Sequence, residues 1–363
     1  SHKEIFYFHD TYVRKRWLLL LPVYLLMTIT KKIRSKYFVK KLDELSQKHL
    51  IGVHWGWKFE NFKTPQYIDY HLSGKNTLNL RADDNTPILN YSSSTFLPSF
   101  FCQSVPYEHR IYDIILVNRL ATFKNTDLFI ASVSEVLKRN AAIKILLVLP
   151  TEPNESERTH HDINALLEKF IPIEHRNAII VLRSDPNYVY LGFPRAFVAD
   201  LIARSRVLCL FSEGEGVAKV IKEAQSLGTK VVAFDKLSGG GLDFDNDLIF
   251  KFDDYATAHE TIIDAIETRI DKQDNYKEII DSTQKMTNEI HNCDLFKHDL
   301  QRLFHEKFNE AFAGQFDLED LSRRLPNHSY DLHRMPWISS ATGQTNATDI
   351  LTISSFRKFL SYV

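Results

Sequence analysis

From Tyr112 onward the chain alternates short apolar runs with stretches in which apolar residues recur at helical spacing. The runs cover 112–117, 143–149, 178–182, 207–211 and 230–234, with a weaker sixth at 248–252. Between them, helical periodicity covers 127–139, 161–170, 193–204 and 215–227. Short buried runs separated by helices predict a parallel sheet covered on both faces. Right-handed crossovers then align the loops that follow the strands along one edge, where ligands bind in such sheets. Three more helical patterns follow at 256–270, 276–291 and 299–312, and the tail from Gln315 reads as an irregular wrap rich in Ser, Thr, Asn and Gly.

Upstream of residue 105 the pattern is irregular. Residues 5–8 and 50–53 read as short strands, with a Leu-rich helix over 17–30 between them. Trp55, Trp57, Phe59 and Phe62 make an aromatic cluster, and the Ser-, Pro- and Phe-rich stretch 86–106 reads as a connection between domains. The expected organisation is a short N-terminal domain over 1–105, an α/β domain with a parallel sheet over 106–295, and a C-terminal helix and tail over 296–363.

A length of 363 residues fits two domains. A net charge of −1 gives no reason to expect nucleic acid as a partner. The three cysteines are scattered without metal-ligand spacing, and Cys209 sits inside an apolar run, as a core residue in a reducing compartment would. The uncharged run 17–30 spans fourteen residues, too few to cross a bilayer as a helix. Basic residues flank it on both sides, so it reads either as a buried helix with a solvated end or as a segment lying on an anionic membrane surface. A cytoplasmic protein, with peripheral contact at the inner face of a membrane as the second option, is the expectation.

The densest chemistry lies in 211–234. A strand runs into the acidic, glycine-broken turn 212–216, then a helix that Gly228 ends, then the next strand. Glu215 and Glu223 lie eight positions apart, the first at the expected helix entrance and the second two turns in. A carboxylate can accept hydrogen bonds from sugar hydroxyls, and Gly214 and Gly216 can let backbone N–H groups approach a phosphate. Acidic residues also favour a helix start for reasons of dipole alone. Arg119, just past the first strand, reads equally as an anion ligand or a structural ion pair, and Lys124 taken alone reads as a solvated loop lysine. His9 and His54 are candidates for catalytic residues of the first domain.

Four stretches together resemble the nucleotide-binding half of the GT-B glycosyltransferases, specifically the large retaining family called family 4. They are 114–125, with Arg119 and Lys124; 190–194 followed by 198–207; 211–234, with Glu215 and Glu223; and 237–241, with its glycines at 239–241. The resemblance covers about residues 105–295 and implies an α/β, GT-B-like fold with a C-terminal Rossmann-like domain. It implies that Arg119 and Lys124 hold the donor diphosphate, that Glu215 binds the transferred sugar and that Glu223 binds the ribose. Gly214, Gly216, Val217, Gly240 and Gly241 would line the donor with backbone. Asn118 stands where the family has glycine.

The implied activity is transfer of a sugar from a nucleoside-diphosphate sugar to a glycan, lipid-linked or protein acceptor, with retention and without a bound metal or other cofactor. Asp243 and Asp245 read as loop residues. The first domain departs from the family: about 105 residues stand in place of a complete Rossmann-like domain, so it is reduced or remodelled. A non-catalytic binding subunit and a sugar-nucleotide epimerase are the alternatives.

Overall fold

The computed structural model describes residues 5–9, 40, 42–55, 59–74, 78–92, 94–149, 163–183, 193, 195–240 and 246–312. They fall into two compact units. One holds the described residues of Ser1–Ser92 and Asp294–Asp317, the other those of Ser93–Cys293.

The first unit contributes β1 (Ile5–His9), β2 (Leu50–Trp55), β3 (Phe59–Phe62), β4 (Tyr70–Ser73), β5 (Leu78–Leu80) and β6 (Ile88–Leu89). A parallel sheet runs β1-β2-β4-β6, and β3 and β5 form a separate parallel pair. The strands expected at 5–8 and 50–53 are therefore neighbours. Glycine is required at position 52, because a Cβ there would lie 2.1 Å from the Tyr70 ring on the adjoining strand. Tyr70 fills that space and is fully buried. Asp69 ties the end of this sheet together: it accepts the Ile51 N–H at 2.7 Å and the Lys307 ammonium at 2.6 Å.

The second unit is built on β7 (Tyr112–Val117), β8 (Ile145–Leu149), β9 (Ile179–Arg183), β10 (Ser205–Leu210), β11 (Gly214–Val217), β12 (Lys230–Phe234), β13 (Ser238–Gly240) and β14 (Ile249–Phe252). Six of these form one parallel sheet, ordered β14-β12-β10-β7-β8-β9. The chain starts at the centre with β7, works outward through β8 and β9, then returns to build the other half from β10. Counted from β7, this is the doubly wound order 3-2-1-4-5-6, whose switch point lies between the first and fourth strands.

Side chains along each strand alternate between two apolar layers, as strand geometry demands. Ile114, Leu116, Val207 and Cys209 join one layer, with α1 (Thr126–Arg139), α2 (Ile163–Phe170) and residues of α5 (Ala258–Glu267). Ile115, Leu208 and Leu210 join the other, with α3 (Arg195–Ala203) and α4 (Lys219–Ser226). Burial on both faces explains why these strands read as unbroken apolar runs. Two further helices, α6 (Tyr276–Thr287) and α7 (Glu289–Phe308), follow in sequence.

Four expectations change. The helix expected over 215–227 begins only at Lys219, because Gly214–Val217 instead pairs as β11 with β13. The expected helix 276–291 ends at Thr287, where Asn288 takes an extended conformation, and the next starts at Glu289 and ends at Phe308. The stretch 86–106 carries β6 and a 3-10 turn at Ser99–Cys102, and Leu97 and Phe101 are buried in the second unit's core. Phe and Leu are poor linker residues for that reason: their apolar area favours burial. The Leu-rich segment 17–30, Gly241, Asp243, Asp245 and the tail from 313 lie outside the described residues. Among the described residues no helix is long and apolar enough to cross a membrane.

Candidate functional site

The loops after β7 and β10 meet at the switch point, and a specific set of contacts stitches them together. Asn125 adopts a left-handed backbone, φ 48°, which asparagine tolerates better than most residues. From there its side-chain amide donates to the Phe211 carbonyl at 3.2 Å, to Glu213 at 3.3 Å and to the Tyr255 hydroxyl at 2.9 Å. Tyr255 in turn donates to the Phe211 carbonyl at 2.9 Å. Its phenol is pushed up to about 12, chiefly by burial, so it stays a neutral donor. The Glu213 N–H donates to the Phe123 carbonyl at 3.3 Å.

On this frame Lys124, the last residue of the 3-10 turn Thr122–Lys124, forms an ion pair with Glu215. Their side chains are only 12% and 15% exposed, so the pair is partly desolvated. Arg119 stands exposed on the same loop, two residues past β7. Glu215 does not enter a helix as expected; it lies in β11. The pairing of β11 with β13 brings the loop 211–217 against the glycine-containing loop 238–240, with Gly214 opposite Ser238 and Val217 opposite Gly240. Gly216 lies within the same short strand.

Glu223 sits in α4, 3% exposed. It is not free to meet a ligand unaided: Arg195 forms an ion pair with it, and Lys219 lies 3.7 Å away. Arg195 also stacks its guanidinium over the Phe101 ring at 5.0 Å. Burial, followed by repulsion from Arg195, pushes the Lys219 ammonium down to about 7, and Glu223 offsets only part of this. Two polar atoms at the switch point are buried without a hydrogen-bond partner among the described residues, Asn118 Oδ1 after β7 and Ser212 Oγ after β10.

Lys124 and Glu215 are thus brought together, Glu223 is placed in a separate cation cluster, and Arg119 borders the loop that carries Lys124. Asn125, Tyr255, Arg195 and Lys219 contact these candidates or their loops, and sequence reading passed over them. Neither of the last two was legible as such, because their helices were expected to begin at 193 and 215. Each is the first residue of its helix, where a cation opposes the helix dipole. His9 and His54 are register partners on β1 and β2, at the C-terminal ends of those strands, in the first unit. Among the described residues no group of three His, Cys, Asp or Glu side chains is placed to hold a metal ion.

No family model matches the chain, and no curated protein sequence matches it. Solved structures do. An α,α-trehalose 6-phosphate synthase from Burkholderia multivorans aligns with TM-score 0.53 at 12% identity, over 74% of this chain and 70% of that one. A UDP-forming α,α-trehalose-phosphate synthase from Burkholderia xenovorans, in complex with glucose-6-phosphate, aligns with TM-score 0.52 at 14% identity, over 73% and 71%. The pneumococcal O-GlcNAc transferase GtfA, in complex with UDP and GlcNAc, aligns with TM-score 0.49 at 11% identity. The chain spans only about half of that protein's length, 54%. The fold is therefore α/β with parallel Rossmann-like sheets, similar to the GT-B glycosyltransferases.

Proposed function

We propose that this chain is a GT-B glycosyltransferase of the retaining, family-4 type, moving a sugar from a nucleoside-diphosphate sugar to a glycan, lipid-linked or protein acceptor. The observation that carries the reading is the Lys124–Glu215 pair at the switch point of a doubly wound sheet. A sugar nucleotide offers a partner to each member of that pair: phosphate oxygens for Lys124 and hydroxyls for Glu215. Binding exchanges one internal ion pair for two ligand contacts.

The chemistry follows from where charge develops. As the bond between the anomeric carbon and the diphosphate breaks, negative charge grows on the leaving oxygens. Lys124 and the exposed Arg119 stabilise it, Arg119 with a planar fork of donors and Lys124 as a point charge. The acceptor hydroxyl attacks on the face the diphosphate leaves, its proton passes to the departing phosphate oxygen, and configuration is retained without a protein nucleophile. Asn118 Oδ1 and Ser212 Oγ gain a partner when a polar ligand fills the switch point. No metal or other cofactor is part of this reading.

A screen of uridine, guanosine and adenosine diphosphates by thermal shift, followed by transfer assays with the sugar nucleotides of the base that binds, tests the proposal. Arg119→Ala is expected to lower transfer by about 100- to 1,000-fold, the size of effect seen when one donor to a developing oxyanion is removed. Because Arg119 is exposed, its melting temperature should match that of the parent chain. Undiminished turnover in that variant contradicts the site. The compact first sheet, which ends in the two-residue strand β6, favours a second reading, a binding subunit that has lost transfer. Tight nucleotide binding with no turnover on any donor selects it.

A further inference from the structure

Lys124 and Glu215 belong to two loops whose backbones are tied together on both sides of that lysine. Before it, the Phe123 carbonyl accepts the Glu213 N–H at 3.3 Å. After it, the Asn125 amide donates to the Phe211 carbonyl at 3.2 Å and to Glu213 at 3.3 Å. The Lys124 N–H is itself spent on the Ala121 carbonyl at 2.9 Å. A third segment closes the arrangement. Tyr255, just beyond β14, accepts from the Asn125 amide and donates to the Phe211 carbonyl, both at 2.9 Å. Its ring packs against Phe211, Phe234 and Phe252, with centroids 4.8–5.9 Å away, so the hydroxyl is fixed in place. The left-handed turn itself needs only a residue that tolerates φ 48°, and glycine does so without a side chain. The amide and the phenol are therefore extra to the turn, and both act on the loop that carries Glu215.

We propose that Asn125 and Tyr255 are positioning residues for Lys124, holding its backbone so that exchange of Glu215 for a phosphate oxygen needs only rotation of the lysine side chain. The inference rests on the donor reading above and adds to it two residues which that reading leaves without a role. A frame that is set before the ligand arrives removes the cost of ordering the loop on binding. Neither side chain has to touch the ligand. Removing either one therefore acts on the diphosphate through Lys124, and leaves the rest of the ligand as it was.

Isothermal titration of the full chain with UDP, GDP and ADP finds the best binder, and variants are then compared on that diphosphate and on its nucleoside. Lys124→Met should weaken the diphosphate by about ten- to a hundredfold, the value of a hydrogen bond to a charged group. Asn125→Gly keeps the left-handed turn and removes the amide, and should weaken it by about three- to tenfold, the value of one neutral hydrogen bond. Tyr255→Phe should weaken it by about two- to fivefold. The nucleoside, which has no phosphate, should bind the parent and all three variants alike. Both ligands are titrated on one preparation, so a smaller folded fraction lowers the stoichiometry and not the affinity. The deciding measurement is a double-mutant cycle. In the Lys124→Met background, Asn125→Gly and Tyr255→Phe should each change diphosphate affinity by less than about twofold, a coupling that a merely structural role would not produce. Equal losses in both backgrounds, or no loss in the parent background, overturn the assignment while leaving the donor reading standing. Unchanged diphosphate affinity in Lys124→Met removes Lys124 from the donor site, and the positioning role with it. Failure of the parent chain to bind any nucleoside diphosphate removes the donor reading itself.

Discussion

A half-buried lysine, Lys219, and a buried one, Lys230, lie at opposite ends of the strands of the six-stranded sheet. Lys219 begins the helix that follows β10 and β11, at the edge where the strands end, whereas Lys230 is the first residue of β12, at the edge where they begin. Burial lowers both, Lys219 to about 7 and Lys230 to about 8, and an arginine is the next cause each time, Arg195 for one and Arg110 for the other. Their partners differ. Lys230 donates to the Thr268 carbonyl at 2.7 Å and lies 5.1 Å from the centre of the Tyr107 ring. Arg110, Arg206 and Arg269 surround the same ring at 4.6–5.9 Å. Lys219 meets a side-chain carboxylate that Arg195 already holds.

The contrast separates two uses of buried charge. At the starting edge Lys230 and Arg110 are tied mainly to backbone carbonyls, which no ligand can replace without unfolding the chain, while Arg206 and Arg269 pair with the carboxylates of Asp113 and Asp271. Arg110 donates to the carbonyls of Val105, Ser205 and Leu227 and to the hydroxyls of Thr229 and Tyr276. At the finishing edge they are tied to carboxylates that can be exchanged for a ligand's hydroxyls or phosphates. The first arrangement joins crossovers of the sheet into one body; the second is the one on which the proposed donor site draws.

The largest effect that would break this contrast lies at Arg110. Arg110→Met removes a donor from the carbonyls of Val105, Ser205 and Leu227, of which Ser205 keeps the Thr229 hydroxyl at 3.3 Å; at about 1–3 kcal/mol for each group left unsatisfied, a total loss of about 2–5 kcal/mol is expected. Urea denaturation measures it. Any folded fraction should bind nucleoside diphosphate with the affinity of the parent. A loss below about 1 kcal/mol, against the cost of even one unsatisfied carbonyl, would mean that the starting edge is no more structural than the other. Gly228→Ala comes next. Gly228 holds φ +70°, and a Cβ would sit 2.5 Å from the Tyr276 hydroxyl and 2.7 Å from Ile280, in the same bonded cluster. Left-handed strain and overpacking together should cost about 2–4 kcal/mol by the same assay. An alanine variant as stable as the parent would show that this edge yields easily.

How far each edge could be read from sequence follows from the same physics. The six strands were legible because both of their faces are buried, so each is an apolar run that needs no partner to be recognised. The helix start at Glu215 was misread because its true state depends on pairing with Ser238–Gly240, a contact that local periodicity does not encode. The ion pairs of the site join residues 91 and 28 positions apart, Lys124 with Glu215 and Arg195 with Glu223. Resemblance supplied three of those four residues. Arg195 had nothing local to mark it, because its helix was expected to begin at 193. At the other edge, Lys230 reads as an ordinary strand-start lysine, since nothing nearby in sequence announces Thr268 or Tyr107.

The smallest expected effect is also the most discriminating, because it asks one lysine to act on stability and not on binding. Each has a folded-state value below the 10.5 of an ordinary lysine. Above that folded value and up to 10.5, the unfolded chain keeps a proton that the folded chain has released, so stability rises with pH. Below it both states are protonated and the contribution is flat. Lys230→Met should therefore reduce the rise in unfolding free energy between pH 8 and pH 9, by at most about 1.4 kcal/mol per pH unit, the limit for one titrating group. Groups common to parent and variant cancel in the difference. The same substitution should leave the pH profile of diphosphate affinity untouched. If Lys230→Met altered that profile, charge at the starting edge would be reaching the ligand, and the division of labour between the two ends of the sheet would fail.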